Sequence, residues 1–395
     1  MTMSNRICMY TPTADGGHAR YSFELMTALT SGFGPRFELV TSQDVEEQYR
    51  LTTYPVHAIL PRTVHRKELG SKLAWAANRL LHYPHCEKAF LGWLGKRPDI
   101  AGVHFQEHTA WRATGFFRRV RDLDKSVFYT VHNIRPHSYP PFISPAIVDG
   151  WNRDAYRSCD ALFVLTAQLR DELKEFLEGT HPPIEVTPHG VWSVRDTEQT
   201  RSLQDRLDQK RLLFFGTIRK NKGLDVLLTA MKLLPGYSLT IAGEPREKEY
   251  FETAIIPAID RARAAGTHID LIPRFTPDDE VGKLFAASSA LILPYTSEFT
   301  AQSGVAFMSL AYELPMVASS AGGLKDLFHQ YEIGTQFQTL EPGELANAIN
   351  RLLTVGATKL ISQIKAAKAD MSWSKAAAAT AGIYDRYETP IRRAA

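Results

Sequence analysis

Three cations crowd one short stretch of L-L-F-F-G-T-I-R-K-N-K-G: Arg219, Lys220 and Lys222 follow an apolar run and a glycine, Gly216. Such density at the end of a buried strand is costly in mutual repulsion unless an anion sits there. A pyrophosphate fits that need, since it takes bidentate contacts from Arg and point-charge contacts from Lys. A solvated basic turn is the alternative, and the G-x-x-x-x-G-K-[ST] phosphate loop is absent. A second anion-binding candidate lies in L-P-Y-T-S-E-F-T-A-Q-S-G-V. There Gln302, Ser303 and Gly304 lead from a strand into a helix whose first amides have no partner within the helix. The Gly322-Gly323 turn repeats the device.

Two further motifs offer uncharged chemistry. In T-P-T-A-D-G-G-H, Gly16 and Gly17 stand between a strand and a helix expected to begin near His18, either as a tight turn or as bare amides facing a ligand. In V-F-Y-T-V-H-N, a strand delivers His132 at its C-terminal end, where open parallel sheets place ligands. A neutral imidazole there can exchange hydrogen bonds with a sugar hydroxyl. His104 and His108 read as structural, while Glu107 between them is expected to reach the same cleft. The D-x-D of Asp122 and Asp124 sits in the charged stretch F-F-R-R-V-R-D-L-D-K-S and reads as a solvated helix end. No divalent ion is therefore expected, and Arg219, Lys222 and helix dipoles would neutralise a leaving diphosphate.

These motifs must be held by strands. Short Val/Ile/Leu/Phe runs, each followed by a helical pattern, predict a parallel sheet with crossover helices. Strands are expected at 6–12, 36–41, 56–60, 101–106, 126–132, 161–166 and 184–188, then at 211–218, 238–242, 269–272, 290–294, 316–318 and 334–338. Between the two series the chain turns polar. The expected organisation is a first domain over 1–191, a linker over 192–210, a second domain over 211–372, and a C-terminal helix over 373–395 that is expected to pack back on the first domain, although its Ile383, Tyr384 and Tyr387 suit either domain. The stripe Leu224, Leu227, Leu228, Met231 and Leu234 faces its sheet, and Pro235-Gly236 stops that helix.

Composition narrows the class. At 395 residues two domains are expected, and 44% hydrophobic with 23% charged residues is ordinary for a folded protein. A net charge of +3, from 46 basic and 43 acidic residues, argues against a nucleic-acid partner. Cys8, Cys86 and Cys159 form no C-x-x-C pair, which fits a reducing compartment and a cytoplasmic setting. No stretch approaches the roughly 18 apolar residues of a membrane span, and no signal-peptide core is evident.

The order of Gly-Gly turn, V-H-N, P-H-G, G-T-I-R-K-N-K-G, Q-S-G-V and S-A-G-G resembles glycosyltransferase family four, over nearly the whole chain and most strongly at 211–327. The resemblance implies an α/β protein of the GT-B fold, two Rossmann-like parallel-sheet domains facing a cleft. It implies a metal-independent hexosyltransferase that retains anomeric configuration by front-face substitution, with a nucleotide diphosphate sugar, of uridine or guanosine, as co-substrate and no other cofactor. It also implies that Arg219 and Lys222 hold the donor pyrophosphate, that His132 contacts the donor sugar and that Gly16 and Gly17 lie beside the reacting centre, with Gly216, Thr300, Gln302, Ser303 and Gly304 completing the donor site. His189-Gly190 stands where many members have Asn-Gly. The family's glutamate pair is missing: its positions hold Thr300 and Met308, and Glu298 falls two residues early.

The expected acceptor is a glycan, a lipid-linked sugar or a small molecule, in keeping with polysaccharide biosynthesis. Across 61–95, the cations Arg62, Arg66, Lys67, Lys72 and Arg79 interleave with Trp75, Phe90 and Trp93, either as a peripheral membrane surface at its inner face or as core and solvated face. Three other classes compete. A nicotinamide dehydrogenase lacks its G-x-G-x-x-G here. A nucleotide-sugar epimerase or phosphorylase would differ in products, and the missing glutamates allow a catalytically weakened partner subunit.

Overall fold

The computed structural model describes residues 5–14, 16–45, 52–62, 64, 72–136, 139–140, 143–194, 202–299 and 302–387, with the backbone alone at 72–77, 79–80 and 278. The chain divides into two compact units, Met1–Gly190 with Trp373–Ala395, and Val191–Ser372.

The first unit carries a seven-stranded sheet in the order β3-β2-β1-β4-β5-β6-β7, every pair parallel. Its strands are β1 (Arg6–Thr11), β2 (Phe37–Ser42), β3 (Val56–Leu60), β4 (Ile100–Phe105), β5 (Ser126–Thr130), β6 (Ala161–Val164) and β7 (Ile184–Val186). The second carries six parallel strands in the order β10-β9-β8-β11-β12-β13. These are β8 (Arg211–Phe215), β9 (Ser238–Ala242), β10 (His268–Ile272), β11 (Ala290–Leu293), β12 (Met316–Ser319) and β13 (Gly334–Phe337). β2, β4 and β5 are buried along their whole length, polar residues such as Glu38 and His104 included, so they show no alternation of buried and exposed positions.

Strand order reverses between β1 and β4 in the first sheet and between β8 and β11 in the second. Crossovers leave in opposite directions at these places, so the loops after each strand splay apart and open a crevice at the carboxyl end. The loops concerned hold Gly16 to His18 and Gln106 to His108 in one unit, and Gly216 to Gly223 and Pro294 to Gly304 in the other.

Several boundaries move from their expected places. The strand at 211–218 ends at Phe215 because Gly216 takes φ +103°, outside the extended region. The first helix begins at Gly16, whose φ of +81° turns the chain out of the strand end. Around the start of the expected linker, Val191, the last residue of the expected first domain, and Trp192 are buried, the Val191 amide donates to Met371 O at 2.7 Å, and the indole of Trp192 donates to Gly304 O at 2.7 Å. The later linker helix, Leu203–Asp208, starts on a Ser202–Asp205 capping box and sends Leu203 and Leu207 into the second core. Its two leucines are too few to stand out among the charged residues around them. Both ends of the stretch thus belong to the second unit, and residues 195–201 lie outside the described residues.

The last helix, Trp373–Tyr387, packs on the first unit. Tyr384 is fully buried with its hydroxyl 2.5 Å from His104 Nδ1, and the Tyr387 hydroxyl donates to Glu185 at 3.1 Å. Gly190 accommodates this helix: a Cβ there would lie 2.3 Å from the Trp373 ring.

Candidate functional site

In the first unit, His132 lies two residues beyond β5 rather than at its last position. Its Nε2 is 2.9 Å from Gln106 Oε1; an amide oxygen only accepts, so the imidazole donates through Nε2 and keeps Nδ1 as an acceptor. The His18 ring stacks on it at 4.3 Å and Tyr21 meets it edge-on at 5.0 Å. Burial, with His18, His189 and His104 nearby, holds its pKa well below the ordinary value, so the ring is neutral at pH 7.

A relay of hydrogen bonds fixes that orientation. Gln106 Nε2 donates to Thr130 Oγ1 at 3.3 Å, and Thr130 lies 2.7 Å from His104 Nε2. The other ring nitrogen of His104, Nδ1, bonds the Tyr384 hydroxyl, and burial pushes the His104 pKa down to about 3. This bears out its structural reading. Glu107 joins the crevice: Thr13 donates to it, and His18 Nδ1 is 3.3 Å away. His108 bonds Asn152 at 2.9 Å and lines a cavity with His18, His132 and Glu107. Gly16 and Gly17 open the helix Gly16–Phe33, with open space where either Cβ would stand. His189 is buried between Tyr21 and Trp373, its Nδ1 2.6 Å from Gly190 O.

In the second unit, Arg219 is extended (φ −140°) and Lys220 to Lys222 form one tight turn closed by Gly223 at φ +64°. A Cβ on Gly223 would lie 1.9 Å from Pro294 O, so this loop can reach the end of β11 only with glycine there. The Thr296 amide donates to Asn221 O at 3.0 Å, tying the loops of β8 and β11 together. Lys222 Nζ lies 3.8 Å from the Tyr295 ring centre and 4.6 Å from that of Phe299. Burial, then the Arg219 charge, pulls the Lys222 pKa down to about 7; burial, then Arg246, lowers that of Arg219. Among the described residues, no carboxylate forms a direct ion pair with either cation, although the Glu247 charge partly offsets that of Arg219. Lys220, by contrast, is exposed and its amide donates to Glu247 at 2.8 Å.

Ser303 caps the helix Gly304–Ala311 without accepting from its amides; its hydroxyl is 3.1 Å from the Tyr295 hydroxyl. Gln302 packs against Gly323, where a Cβ would meet its amide at 2.8 Å. Gly216 faces Val305 across this crevice. Arg219, Lys222, Gly216, Gln302, Ser303 and Gly304 therefore gather at one strand-order reversal, and Gly16, Gly17 and His132 at the other. Thr300 lies outside the described residues, Met308 is half-buried in the helix and Glu298 is exposed.

Sequence reasoning missed the residues that hold the functional ones. Gln106 is the first residue after β4, and its place beside the reversal was the available signal. Tyr295 and Phe299 lie more than 70 residues from Lys222 and give no local sign. The D-x-D residues Asp122 and Asp124 are exposed at a helix end, the latter at φ +56°. In the membrane candidate, Phe90 is fully buried in the core, and half-buried Trp93 packs against it beneath Arg97 at 5.1 Å. Arg66 and Lys67, and the side chains of Lys72, Trp75 and Arg79, lie outside the described residues.

Parallel α/β units with polar groups at their strand-order reversals are built to bind ligands there, a plan shared by enzymes of many functions. Residues 195–370 match the family model described as Glycosyl transferases group 1, and residues 15–193 match Glycosyltransferase Family 4. The chain belongs to the family-four type of GT-B glycosyltransferases. It is 25% identical over 248 residues, 58% of its length, to an uncharacterized glycosyltransferase of Methanocaldococcus jannaschii, of which that stretch is 60%. It is 28% identical over 177 residues, 44% of its length, to a Thermus thermophilus glycogen synthase, covering 38% of that protein. The chain thus spans between 38% and 60% of these relatives.

Among solved structures, sucrose-phosphate synthase of Thermosynechococcus elongatus superposes with a TM-score of 0.72 at 18% identity, covering 97% of this chain and 98% of that one. Anabaena HepE in complex with UDP and glucose gives 0.69 at 15% identity, covering 96% and 99%. Both show the fold. Among the described residues, no helix is long and apolar enough to cross a membrane.

Proposed function

We propose that this glycosyltransferase moves a hexose-type sugar from a nucleoside diphosphate to a glycan, lipid-linked or small-molecule acceptor, retaining anomeric configuration and requiring no metal. The observation that carries the reading is the pair Arg219 and Lys222, held at the β8/β11 reversal with no direct ion pair to a carboxylate among the described residues, Glu247 offsetting the Arg219 charge only in part. Two partly desolvated cations are expensive to keep uncompensated, and a diphosphate with two negative phosphates offsets that expense. The amides that open the helix after Ser303 add a partial positive charge.

In the proposed reaction the bond from the sugar's anomeric carbon to the diphosphate oxygen breaks, a bond forms from an acceptor hydroxyl oxygen on the same face, and the hydroxyl's proton passes to the departing diphosphate. Charge develops on the leaving diphosphate. Arg219 and Lys222 are already in place to receive it, which is how preorganised electrostatics lower such a barrier. The neutral, fixed His132 orients a sugar hydroxyl without burying a charge. The binding of UDP and glucose by HepE supports a donor of this type. The free thiols Cys8, Cys86 and Cys159 fit a cytoplasmic setting.

A catalytically weakened partner subunit is the second reading, favoured by Met308, an apolar residue where the family has a carboxylate. The test is product analysis by proton NMR after incubation with uridine, guanosine and adenosine diphosphate sugars and a panel of acceptors, with and without chelator. A product of unchanged anomeric configuration, formed equally with chelator, is expected. Inversion or a chelator-dependent rate overturns the corresponding part, and no turnover with any donor favours the partner reading.

A further inference from the structure

The first unit encloses a cavity of about 280 Å³ beside His132, at the small end of the roughly 300–1,000 Å³ usual for small-molecule sites. Phe116, Tyr129 and Tyr156 give it an aromatic wall. His108 Nε2 lies 2.9 Å from Asn152 Oδ1, so that nitrogen carries the proton and Nδ1 presents a lone pair. Burial holds His108 below its ordinary pKa and keeps it neutral. His108 Nδ1 and Asn133 Oδ1, both on lining residues, are buried with no hydrogen-bond partner in the protein. Buried polar atoms are almost always satisfied, so these two await a ligand or water. Both are acceptors, and the Glu107 carboxylate adds a third. The cavity therefore asks for donors.

Its charge excludes anions. Arg135 is the one arginine among the lining residues, and its Nε pairs with Asp149 at 3.0 Å. Glu87, also lining, is held by Arg112 through two bonds of 2.7 and 2.8 Å and by Arg119. No cation here stands uncompensated as Arg219 and Lys222 do, while Glu107 would repel a phosphate or carboxylate.

We propose that this cavity holds the acceptor and takes a neutral, ring-sized polyol that donates several hydroxyls, a single sugar residue or cyclitol carrying no phosphate or carboxylate. The proposal rests on the transferase reading and names the acceptor's class. His108 and Asn133 set specificity by accepting two of its hydroxyls, and the aromatic wall covers an apolar face of the ring.

The test uses the full chain and needs no turnover: calorimetry and saturation-transfer NMR with myo-inositol, methyl α-D-glucopyranoside and glucose 6-phosphate. At least one neutral probe should bind, with glucose 6-phosphate at least tenfold weaker (order-of-magnitude, one like-charge contact). Asn133→Leu should weaken the neutral probe roughly three- to tenfold, as loss of one neutral hydrogen bond does, whereas Asn133→Asp, which keeps an acceptor, should bind it as the parent does. Melting temperatures matched to the parent show that both variants fold. Equal or tighter binding of glucose 6-phosphate, no binding of either neutral probe, or parental affinity in Asn133→Leu overturns the proposal. Nucleoside diphosphate binding is measured on the same samples: if it persists while the polyols fail, the cavity assignment falls alone, and if it too is absent the transferase reading falls.

Discussion

At the strand-order reversal of the first sheet, His132 is stacked, hydrogen-bonded and neutral; at that of the second, Arg219 and Lys222 have no direct ion pair to a carboxylate among the described residues. The same topological position has been filled in two ways. One set of groups is satisfied by the protein itself, through Gln106, Thr130, His104 and Tyr384, and so holds a fixed geometry. The other is left electrostatically open, and so holds a free energy that an anion can release. Orientation and charge neutralisation are separate demands of glycosyl transfer, and this chain assigns them to separate units.

The largest test of that division is at the open cations. Arg219→Ala and Lys222→Ala should each lower kcat by about two to three orders of magnitude, by analogy with removing one oxyanion donor, measured by steady-state transfer. Rates near the parent's in both variants would remove the charged half of the comparison.

Next in size is a pH effect. In the free protein Lys222 titrates near 7 because burial and Arg219 disfavour its charge. A bound diphosphate favours the charged form and raises that pKa, so binding takes up a proton above pH 7. Affinity for a nucleoside diphosphate should be full below about pH 7 and fall by up to about tenfold per unit above it, until the bound-state pKa is reached. Lys222→Arg, charged throughout, should flatten the profile. A flat profile in the parent protein would mean that Lys222 does not meet the anion.

The smallest effect probes the satisfied half. Gln106→Leu removes the acceptor that fixes His132 and should reduce kcat roughly three- to tenfold while leaving nucleotide affinity unchanged. Loss of nucleotide affinity in this variant would show that the two functions are not divided as described.

Strands such as β5, β6 and β11 are legible because each is a short, fully buried and mostly apolar run between polar turns, whereas β10 and β13 at the edges of the second sheet are mixed in polarity and only partly buried. The cations and glycines of 216–223 were legible for a related reason: repulsion and positive φ are costs that residue types alone reveal, and Gly223 meets both a left-handed backbone and the Pro294 carbonyl. Partners distant in sequence were not. Nothing near Lys222 announces Tyr295 and Phe299, and nothing near His132 announces that Gln106 and Tyr384 end a relay behind it. The helix Leu203–Asp208 was taken into a linker because two leucines among charged residues carry little periodic signal, although both enter the core. Phe90 and Trp93 are ambiguous between membrane and core in the sequence; packing on Tyr10 places Phe90 inside, while Trp93 is half-buried at the core's margin beside Arg97.

The measurement that bears most directly on the central claim is calorimetric titration of uridine, guanosine and adenosine diphosphates, without added metal, into the parent protein, Arg219→Ala and Gln106→Leu. The account predicts that one nucleotide binds the parent selectively, that Arg219→Ala abolishes the binding and that Gln106→Leu leaves it intact. Binding that survives Arg219→Ala, or that appears only on adding a divalent ion, would contradict it.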